Sequence, residues 1–465
     1  MKTVLRRTLW GFGGALALLA LFHLIENGRG RHAWTTWQRE REAVGDRLDL
    51  ASYVPPPVPD AENFATSPRV AAAIKGAQPL LTPPPGWPNA SSGWREGRRV
   101  DLGAFRAASP DGDLSKTLSA YGAVLDELVT ASRRPACRLP VDYSRLPDLD
   151  IPDLLGFRAA ARMLQLRALV ALDEGRGEAA FEDVSALLRM TRHFEQEPLL
   201  LCQLLRMALA SIAVQPLYEG LQTHAWTEPQ LVSLRDELAR VDVLTSLRRS
   251  WKSEQIGLGA VYLRVAAEQP WEWTHYPRSD SDAGKPSRLG SLLRHLLIPR
   301  GWILQNAVRT SRATQQVVCD PLDPATHCID PARQEAALKA TTQEGRTPYT
   351  FLASDLVPAL AAQNLRAAWL QAGLLQARIA CDLERHRRAR GGYPAQLSDL
   401  GVALPGDVIG GQPMHYRPAP DGGYLLYSLG WNGVDDGGQT SPDPSHREGD
   451  WTWTIRGTRA AAKAR

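Results

Sequence analysis

The spacing of apolar residues changes along the chain and divides it into regions. Between residues 151 and 242, apolar residues recur every three or four positions, which is typical of amphipathic helices. Gly175 and Gly177 provide a turn between the first two of these helices, and Thr227 with Gln230 forms a capping box. We therefore expect an irregular multi-helix body over residues 151–345, with antiparallel helices around one core.

The pattern changes again near the C-terminus. Residues 359–394 are typical of one long helix, which Gly391 and Gly392 end. Strands are expected within "MHYRPA", "GYLLYSL" and "DWTWTI", and the "PDGG" between the first two is a hairpin signal. The expected fold class is mainly α with a C-terminal α+β unit over residues 346–465, in which the long helix lies on a small antiparallel sheet.

The N-terminus is apolar. Leu9 to Ile25 contains no Asp, Glu, Lys or Arg, and a helix needs about 17 residues to cross a bilayer. Lys2, Arg6 and Arg7 precede this segment, which predicts a cytoplasmic N-terminus and an exported remainder. We interpret residues 1–32 as a single-pass anchor in the bacterial cytoplasmic membrane. A cleaved signal peptide and a buried helix are the alternatives, although no clean small-x-small cleavage site precedes "ENGRGRHAW".

Two regions are rich in residues that interrupt regular structure. Residues 33–150 contain many Pro, Gly and Trp, and we expect a mostly extended juxtamembrane segment that packs on the residues after it. Residues 269–300 include Trp271 and Trp273, which either anchor a loop or core, stack on sugar rings, or lie at the bilayer surface.

Composition limits the functional classes. The hydrophobic fraction of 44% and the charged fraction of 22% are those of a globular protein, and a net charge of +4 gives no reason to expect a nucleic-acid partner. No HExxH, GxSxG, Walker-type or GxGxxG motif is present, so the sequence names no reaction. Cys319 and Cys328 bracket a short loop and are either a disulfide or two free thiols.

Charged residues in the helical region are candidates for a site but have a simpler interpretation. We expect them to be surface residues or partners between helices, as polar residues on amphipathic helices usually are. They are Arg192, His193, Glu195, Glu197 and Arg206.

The C-terminal motifs resemble those of a known family. "LERHRRARGGYPAQLSDL", "LPGDVIGGQPMHYRP", "YLLYSLGWNGVDDGG" and "GDWTW" are similar to the C-terminal part of the major pseudopilin of type II secretion systems. The whole chain also resembles uncharacterised membrane-anchored bacterial envelope proteins. Pseudopilins carry a glutamate at the fifth position of their N-terminal helix, where this chain has Leu16, so we do not expect assembly into a fibre.

The resemblance implies a calcium site after the second strand of the unit. Calcium prefers six to eight oxygen ligands, and glycine-rich turns let carbonyl oxygens approach it. In the alternative interpretation, the loop consists of Asx turns whose side chains cap their own backbone. The ligands that the resemblance places in this sequence are the Leu429 carbonyl and the side chains of Asn432, Asp435, Asp436, Asp443 and Asp450.

The sequence therefore predicts a membrane-anchored envelope protein that is non-catalytic and binds or scaffolds other proteins. The pseudopilin resemblance suggests a connection with secretion. Its expected partners are the membrane, through the N-terminal helix, and envelope proteins of unknown identity. The alternative is an envelope hydrolase whose site lies between the helical body and the C-terminal unit.

Overall fold

A computed structural model describes residues 2–76, 79–82, 84, 87, 100–109, 112–145, 148–152, 154–268, 298–441 and 445–457. Two tryptophans of the Pro- and Gly-rich region, Trp271 and Trp273, lie outside these ranges. The predicted ligand Asp443 also lies outside them.

The N-terminal third contains one long helix and several short ones. Helix α1 spans Lys2–Ala43, so it continues well past the apolar segment and past the boundary that we expected at residue 32. The juxtamembrane segment is less extended than expected. Its helices are α2 (Pro68–Ile74), α3 (Leu102–Ala107), α4 (Leu114–Ser119) and α5 (Gly122–Ala131), with short 3-10 turns at Leu50–Tyr53, Phe64–Thr66 and Tyr143–Arg145.

The helical body follows the predicted pattern. Gly175 adopts a positive φ of 73° between α6 and α7, and the capping box of Thr227 and Gln230 begins α9, as the sequence predicts. The helices are α6 (Leu155–Asp173), α7 (Gly177–His193), α8 (Leu200–Gln222), α9 (Glu228–Ala239), α10 (Val243–Glu268), α11 (Arg300–Thr314) and α12 (Pro331–Gln343). A π-helical turn, Gln315–Cys319, extends α11, and the short strands β1 (Leu322–Asp323) and β2 (Cys328–Ile329) pair before α12.

The C-terminal unit has the expected elements. Helix α13 (Phe351–Arg390) ends at Gly391, whose φ of 83° is left-handed and suits glycine. Strands β3 (His415–Pro418), β4 (Tyr424–Ser428) and β5 (Trp451–Ile455) form an antiparallel sheet in that order. Along β5, residues 451, 453 and 455 are buried, which is the period of two that gives a sheet one apolar face.

One hydrophobic core runs through all regions beyond the N-terminal helix. It joins Phe64 of the juxtamembrane segment, Leu187 of the body, Ala372 of α13 and Trp453 of the sheet. Helix α13 packs on α8, α9, α10 and α11 and also contacts β4 and β5. The sheet is therefore attached to the body through a shared helix rather than through a linker.

The structure decides between the two interpretations of the cysteines, and it shows that one of the charged candidates is fully buried. All five cysteines are free, so Cys319 and Cys328 do not form a disulfide. Cys319 is buried beside Gln255, whereas Cys328 Sγ lies 3.3 Å from the Thr326 carbonyl oxygen. Glu197 is 1% exposed and accepts a hydrogen bond of 2.6 Å from the Tyr143 hydroxyl, so its role is structural but not on the surface.

Two described helices are long and apolar enough to cross a membrane. In the first, Arg6–Ala43, the apolar window is 0% buried in the fold. In the second, Leu200–Gln222, the window is 72% buried, which is typical of the central helix of a helical core.

Candidate functional site

The loop after β4 is shaped by glycines and by one buried acid. Strand β4 ends at Ser428, and Gly430 and Gly433 follow with positive φ angles of 70° and 66°. The Leu429 amide donates to Asp407 Oδ2 at 3.3 Å, and Asp407 is 3% exposed. Burial raises the pKa of Asp407, while hydrogen bonds from neighbouring backbone amides oppose the rise. The strand end is thus fixed before the acidic part of the loop begins.

Two of the predicted ligands bond to their own loop. Asn432 Oδ1 accepts from the Val434 amide at 3.1 Å, and Asp435 Oδ1 accepts from the Gly437 amide at 2.9 Å. Both are Asx turns, in which a side chain caps the backbone two residues further on. This is the local structure that the alternative, turn-forming interpretation predicts, and it engages the only side-chain oxygen of Asn432 and Oδ1 of Asp435, whose Oδ2 lies 3.4 Å from His415 Nδ1.

Asp450 differs from the other predicted ligands that the structure describes, because it is buried. It is 1% exposed, and Oδ2 accepts from the Gly438 amide at 2.6 Å. Within the part of the chain that the structure describes, Asp450 Oδ1 is buried and has no hydrogen-bond partner. Burial raises the pKa of Asp450, and the charges of Asp435 and Asp436 add to the rise. A buried carboxylate oxygen without a partner needs an explanation such as water or an ion.

The predicted ligands supply the kinds of oxygen atom that calcium binds. Leu429 lies at the strand end, and Asp436 accepts a hydrogen bond of 3.3 Å from Asn432 Nδ2. Carboxylate and carbonyl oxygens are the ligands that calcium takes. Over the described residues, no group of three or more His, Cys, Asp or Glu side chains is arranged to hold a metal, so the calcium site stays a prediction.

A large groove lies next to this loop, between the helical body and the C-terminal unit. Its volume is about 1070 Å³, and it is bounded by the α9–α10 turn, the β1–β2 hairpin and the loops at 405–411 and 431–433. Apolar residues such as Leu375 and Ile329 line it together with charged residues such as Asp320, Arg333 and Arg378. The groove occupies the position in which the hydrolase alternative placed its site.

One pair of side chains in the groove has an arrangement found in catalytic sites. Asp242 Oδ2 lies 2.5 Å from His327 Nδ1, so the carboxylate orients the imidazole. His327 adopts a left-handed φ of 57°, and its side chain is 62% exposed. Cys328 lines the same groove, but burial raises the pKa of its thiol, which disfavours the nucleophilic thiolate. No sequence signal pointed to this pair, because its members lie far apart along the chain.

A second cluster lies at the end of the apolar segment of α1. Glu26 is 4% exposed and accepts hydrogen bonds from Trp302 Nε1 at 3.1 Å and from the Tyr349 hydroxyl at 3.2 Å. Arg29 Nη1 donates to the same carboxylate at 2.8 Å, and Gln305 Nε2 donates at 3.3 Å. The sequence draws attention to Glu26, because it is an acid directly after the apolar segment. Nothing in the sequence indicates which side chains bind it.

Glycines allow α1 and α11 to approach closely at this point. A Cβ atom on Gly30 or on Gly301 would lie closer than 3.0 Å to backbone atoms of the opposite helix. The Gly301 amide also donates to Asn27 Oδ1 at 2.8 Å. Further along α1, Trp34 and Trp37 are buried against Ile303 and Tyr262. The second half of α1 is therefore firmly docked on the body.

Comparisons with known proteins add no relative. No protein-family model matches this chain, and neither the curated proteins nor the solved structures include a match.

Proposed function

We propose that this chain is a membrane-anchored protein of the bacterial cell envelope that is non-catalytic and binds or scaffolds other proteins. In this proposal α1 crosses the cytoplasmic membrane once, and the rest of the chain lies on the extracytoplasmic side. One observation carries the proposal: the exposed apolar half of α1 and its docked half form a single helix, Lys2–Ala43. Such a helix would hold the whole body at a fixed position on the membrane.

The docked half of α1 also supports an anchor over a cleaved signal peptide. A signal peptide would be removed after roughly 15–30 residues. Cleavage near residue 30 would cut α1 where Gly30 meets Gly301 and would detach the buried Glu26 from Trp302. The body would then expose a surface that the intact helix covers.

The groove between the body and the C-terminal unit is the proposed protein-binding site. Apolar residues with charged residues around them are the usual composition of protein interfaces. The connection to type II secretion rests on the resemblance of the C-terminal motifs. The same resemblance, together with the unpartnered Oδ1 of Asp450, supports a calcium ion in the neighbouring loop.

The binding proposal can be tested with a photo-reactive amino acid placed in the groove. Thr326 lines the groove and is exposed, whereas Thr130 is an exposed threonine on α5 and serves as the matched control. We expect irradiation of cells to yield a discrete adduct with an envelope protein from position 326 and none from position 130. Equal labelling from both positions, or none from position 326, would contradict a binding role for the groove.

The hydrolase alternative is kept because of the Asp242–His327 pair. A histidine oriented by a carboxylate is a common general base. If the groove is catalytic, the purified chain should hydrolyse peptide, ester or glycan substrates, and Asp242→Asn should abolish that turnover. If the groove only binds protein, no turnover should be measured with either the wild-type chain or Asp242→Asn.

A further inference from the structure

A second groove lies on a different face of the protein, where three helices meet. It has a volume of about 850 Å³, within the range of small-molecule sites, and α6, α8 and α13 line it together with residues 445–447. Each helix contributes residues that share one of its faces. Leu155, Arg158 and Arg162 of α6 are spaced by three and four, as are Ala362, Leu365, Arg366 and Trp369 of α13.

The groove is apolar both at its floor and at its rim. Leu205 and Met207 are buried in the floor. At the rim, Leu155 is 74% exposed and Leu201 is 46% exposed. Large apolar side chains that are grouped and exposed in this way usually mark a binding surface.

The charged residues that the structure describes in this groove are all arginines. Among the described residues that line it, four are arginines and none is Asp or Glu: Arg158, Arg162, Arg366 and Arg447. Arg447 pairs with Glu335 at 2.5 Å. Arg162 and Arg366 each donate to a glutamine at 3.3 Å, Gln165 and Gln363 respectively.

Arg162 is the least satisfied of the four. Its Nε is buried and has no hydrogen-bond partner within the described part of the chain. Burial and the charge of Arg158 lower the pKa of Arg162 to about 10. A carboxylate next to this guanidinium would relieve both penalties, because arginine binds carboxylates through two parallel hydrogen bonds.

We infer that this groove binds a free long-chain carboxylate, with the acyl chain on the leucine-lined floor and the head group at Arg162 and Arg366. The groove is large enough to hold one acyl chain. Charge complementarity selects the head group, because the four arginines are accompanied by no acidic side chain among the described lining residues.

A segment of the chain itself is a less suitable occupant. Residues 88–99 join Trp87 to Val100, whose amide donates to Gln215 on α8 at 3.0 Å. Their sequence, "PNASSGWREGRR", contains Arg95, Arg98 and Arg99 against one acid, Glu96. A basic segment does not complement a groove lined by arginines.

The inference can be tested with dodecanoate as the probe. The full chain is placed in nanodiscs of phosphatidylcholine, and binding is measured by calorimetry after subtraction of empty nanodiscs. We expect saturable binding of one dodecanoate per chain. Dodecanol, which has the same chain and no charge, should bind at least about tenfold more weakly, since a charge-assisted hydrogen bond is lost.

Three variants locate the head group. Arg162→Gln and Arg366→Gln should each weaken dodecanoate binding by about tenfold. Arg366 is at the exposed rim, so its substitution leaves the core intact even if Arg162→Gln impairs folding. Arg176→Gln, an exposed arginine that pairs with Glu174 outside the groove, should change nothing.

Several outcomes would overturn the inference. Equal binding of dodecanoate and dodecanol, or insensitivity to both groove substitutions, would mean that the arginines do not recognise a head group. Tighter binding of dodecyl phosphate than of dodecanoate would replace the carboxylate by a phosphate. The absence of saturable binding above empty nanodiscs would mean that the arginines are satisfied by the chain itself or that the groove serves another partner.

Discussion

The docking of α1 on α11 can be tested by adding one methyl group at two neighbouring positions of the same helix. Gly30 faces Gly301, where a Cβ atom would lie closer than 3.0 Å to backbone atoms. Gly28 lies two residues earlier in α1 and has nothing within 4 Å of its Cβ position. Gly30→Ala should therefore separate the two helices, whereas Gly28→Ala should not.

The expected loss of docking free energy in Gly30→Ala is the sum of three contributions. Overpacking a tight contact costs about 1–3 kcal/mol. Moving α11 away weakens the hydrogen bonds that Trp302 and Gln305 of that helix donate to Glu26, which are each worth about 1 kcal/mol. Replacing Gly by Ala within a helix stabilises the helix by about 1 kcal/mol, which offsets part of this loss. The docked half of α1 should thus lose about 2–4 kcal/mol in Gly30→Ala and gain up to about 1 kcal/mol in Gly28→Ala.

Amide hydrogen exchange measures this difference directly, because it reports local opening of a helix. Exchange at residues 31–43 in the nanodisc-embedded chain should become roughly 30- to 1,000-fold faster in Gly30→Ala, since about 1.4 kcal/mol corresponds to a factor of ten. It should be unchanged or slower in Gly28→Ala. Equal exchange rates in the two variants would show that α1 does not dock on α11 at these glycines.

Three further predictions concern the C-terminal unit. Tyr393 packs on Tyr424 with a ring-centroid distance of 4.7 Å, so Tyr393→Ala should destabilise the protein by about 2–4 kcal/mol in chemical denaturation, and Tyr393→Phe, which keeps the ring, by less. Burial opposes ionisation of Glu384, but hydrogen bonds from Arg387 and His224 outweigh it and lower the Glu384 pKa from 4.5 to about 2. That carboxylate should contribute about 3 kcal/mol to the free energy of unfolding above pH 4.5, and this contribution is progressively lost as the pH falls towards 2. The difference in unfolding free energy between wild type and Glu384→Gln should therefore shrink on acidification. A constant difference from pH 6 to pH 3 would contradict this. Calcium should raise the melting temperature of the full chain. The rise should be smaller in Asp436→Ala and larger in Asn432→Asp. A melting temperature that changes with neither calcium nor chelator would leave only the turn-forming interpretation.

Features of the fold that depend on local signals could be predicted from the sequence. Gly391 ends α13 because a left-handed residue is needed there, and Thr227 with Gln230 begins α9. Tyr393, Pro394 and Leu397 pack where the helix turns towards the sheet, which follows from Gly391 and Gly392 ending the helix and from Pro394 being unable to continue it. Helices α2 and α3 could not be predicted, because six or seven residues are too few to show a helical period.

The continuation of α1 could not be predicted from local signals. Residues 26–43 contain many polar residues, and they remain helical because Trp34 and Trp37 pack on α10 and α11. The partners of these tryptophans lie more than 200 positions further along the chain.

The candidate site could be predicted only in part. Asn, Asp and Gly in close succession predicted the Asx turns of Asn432 and Asp435, because those turns need only neighbouring residues. The burial of Asp450 and the pairing of Asp242 with His327 depend on how distant segments pack, and the sequence gives no measure of that.

The membrane anchor is most directly tested with alkaline phosphatase fused after Arg465 and alkaline extraction of the cells that produce the fusion. We expect active phosphatase in the membrane fraction, attached to a chain that retains its N-terminus, because in the proposed arrangement α1 crosses the membrane and holds the body on the outer side. A soluble, active fusion that lacks roughly its first 30 residues would mean that the apolar segment is a cleaved signal peptide. An inactive fusion would mean that the body lies in the cytoplasm.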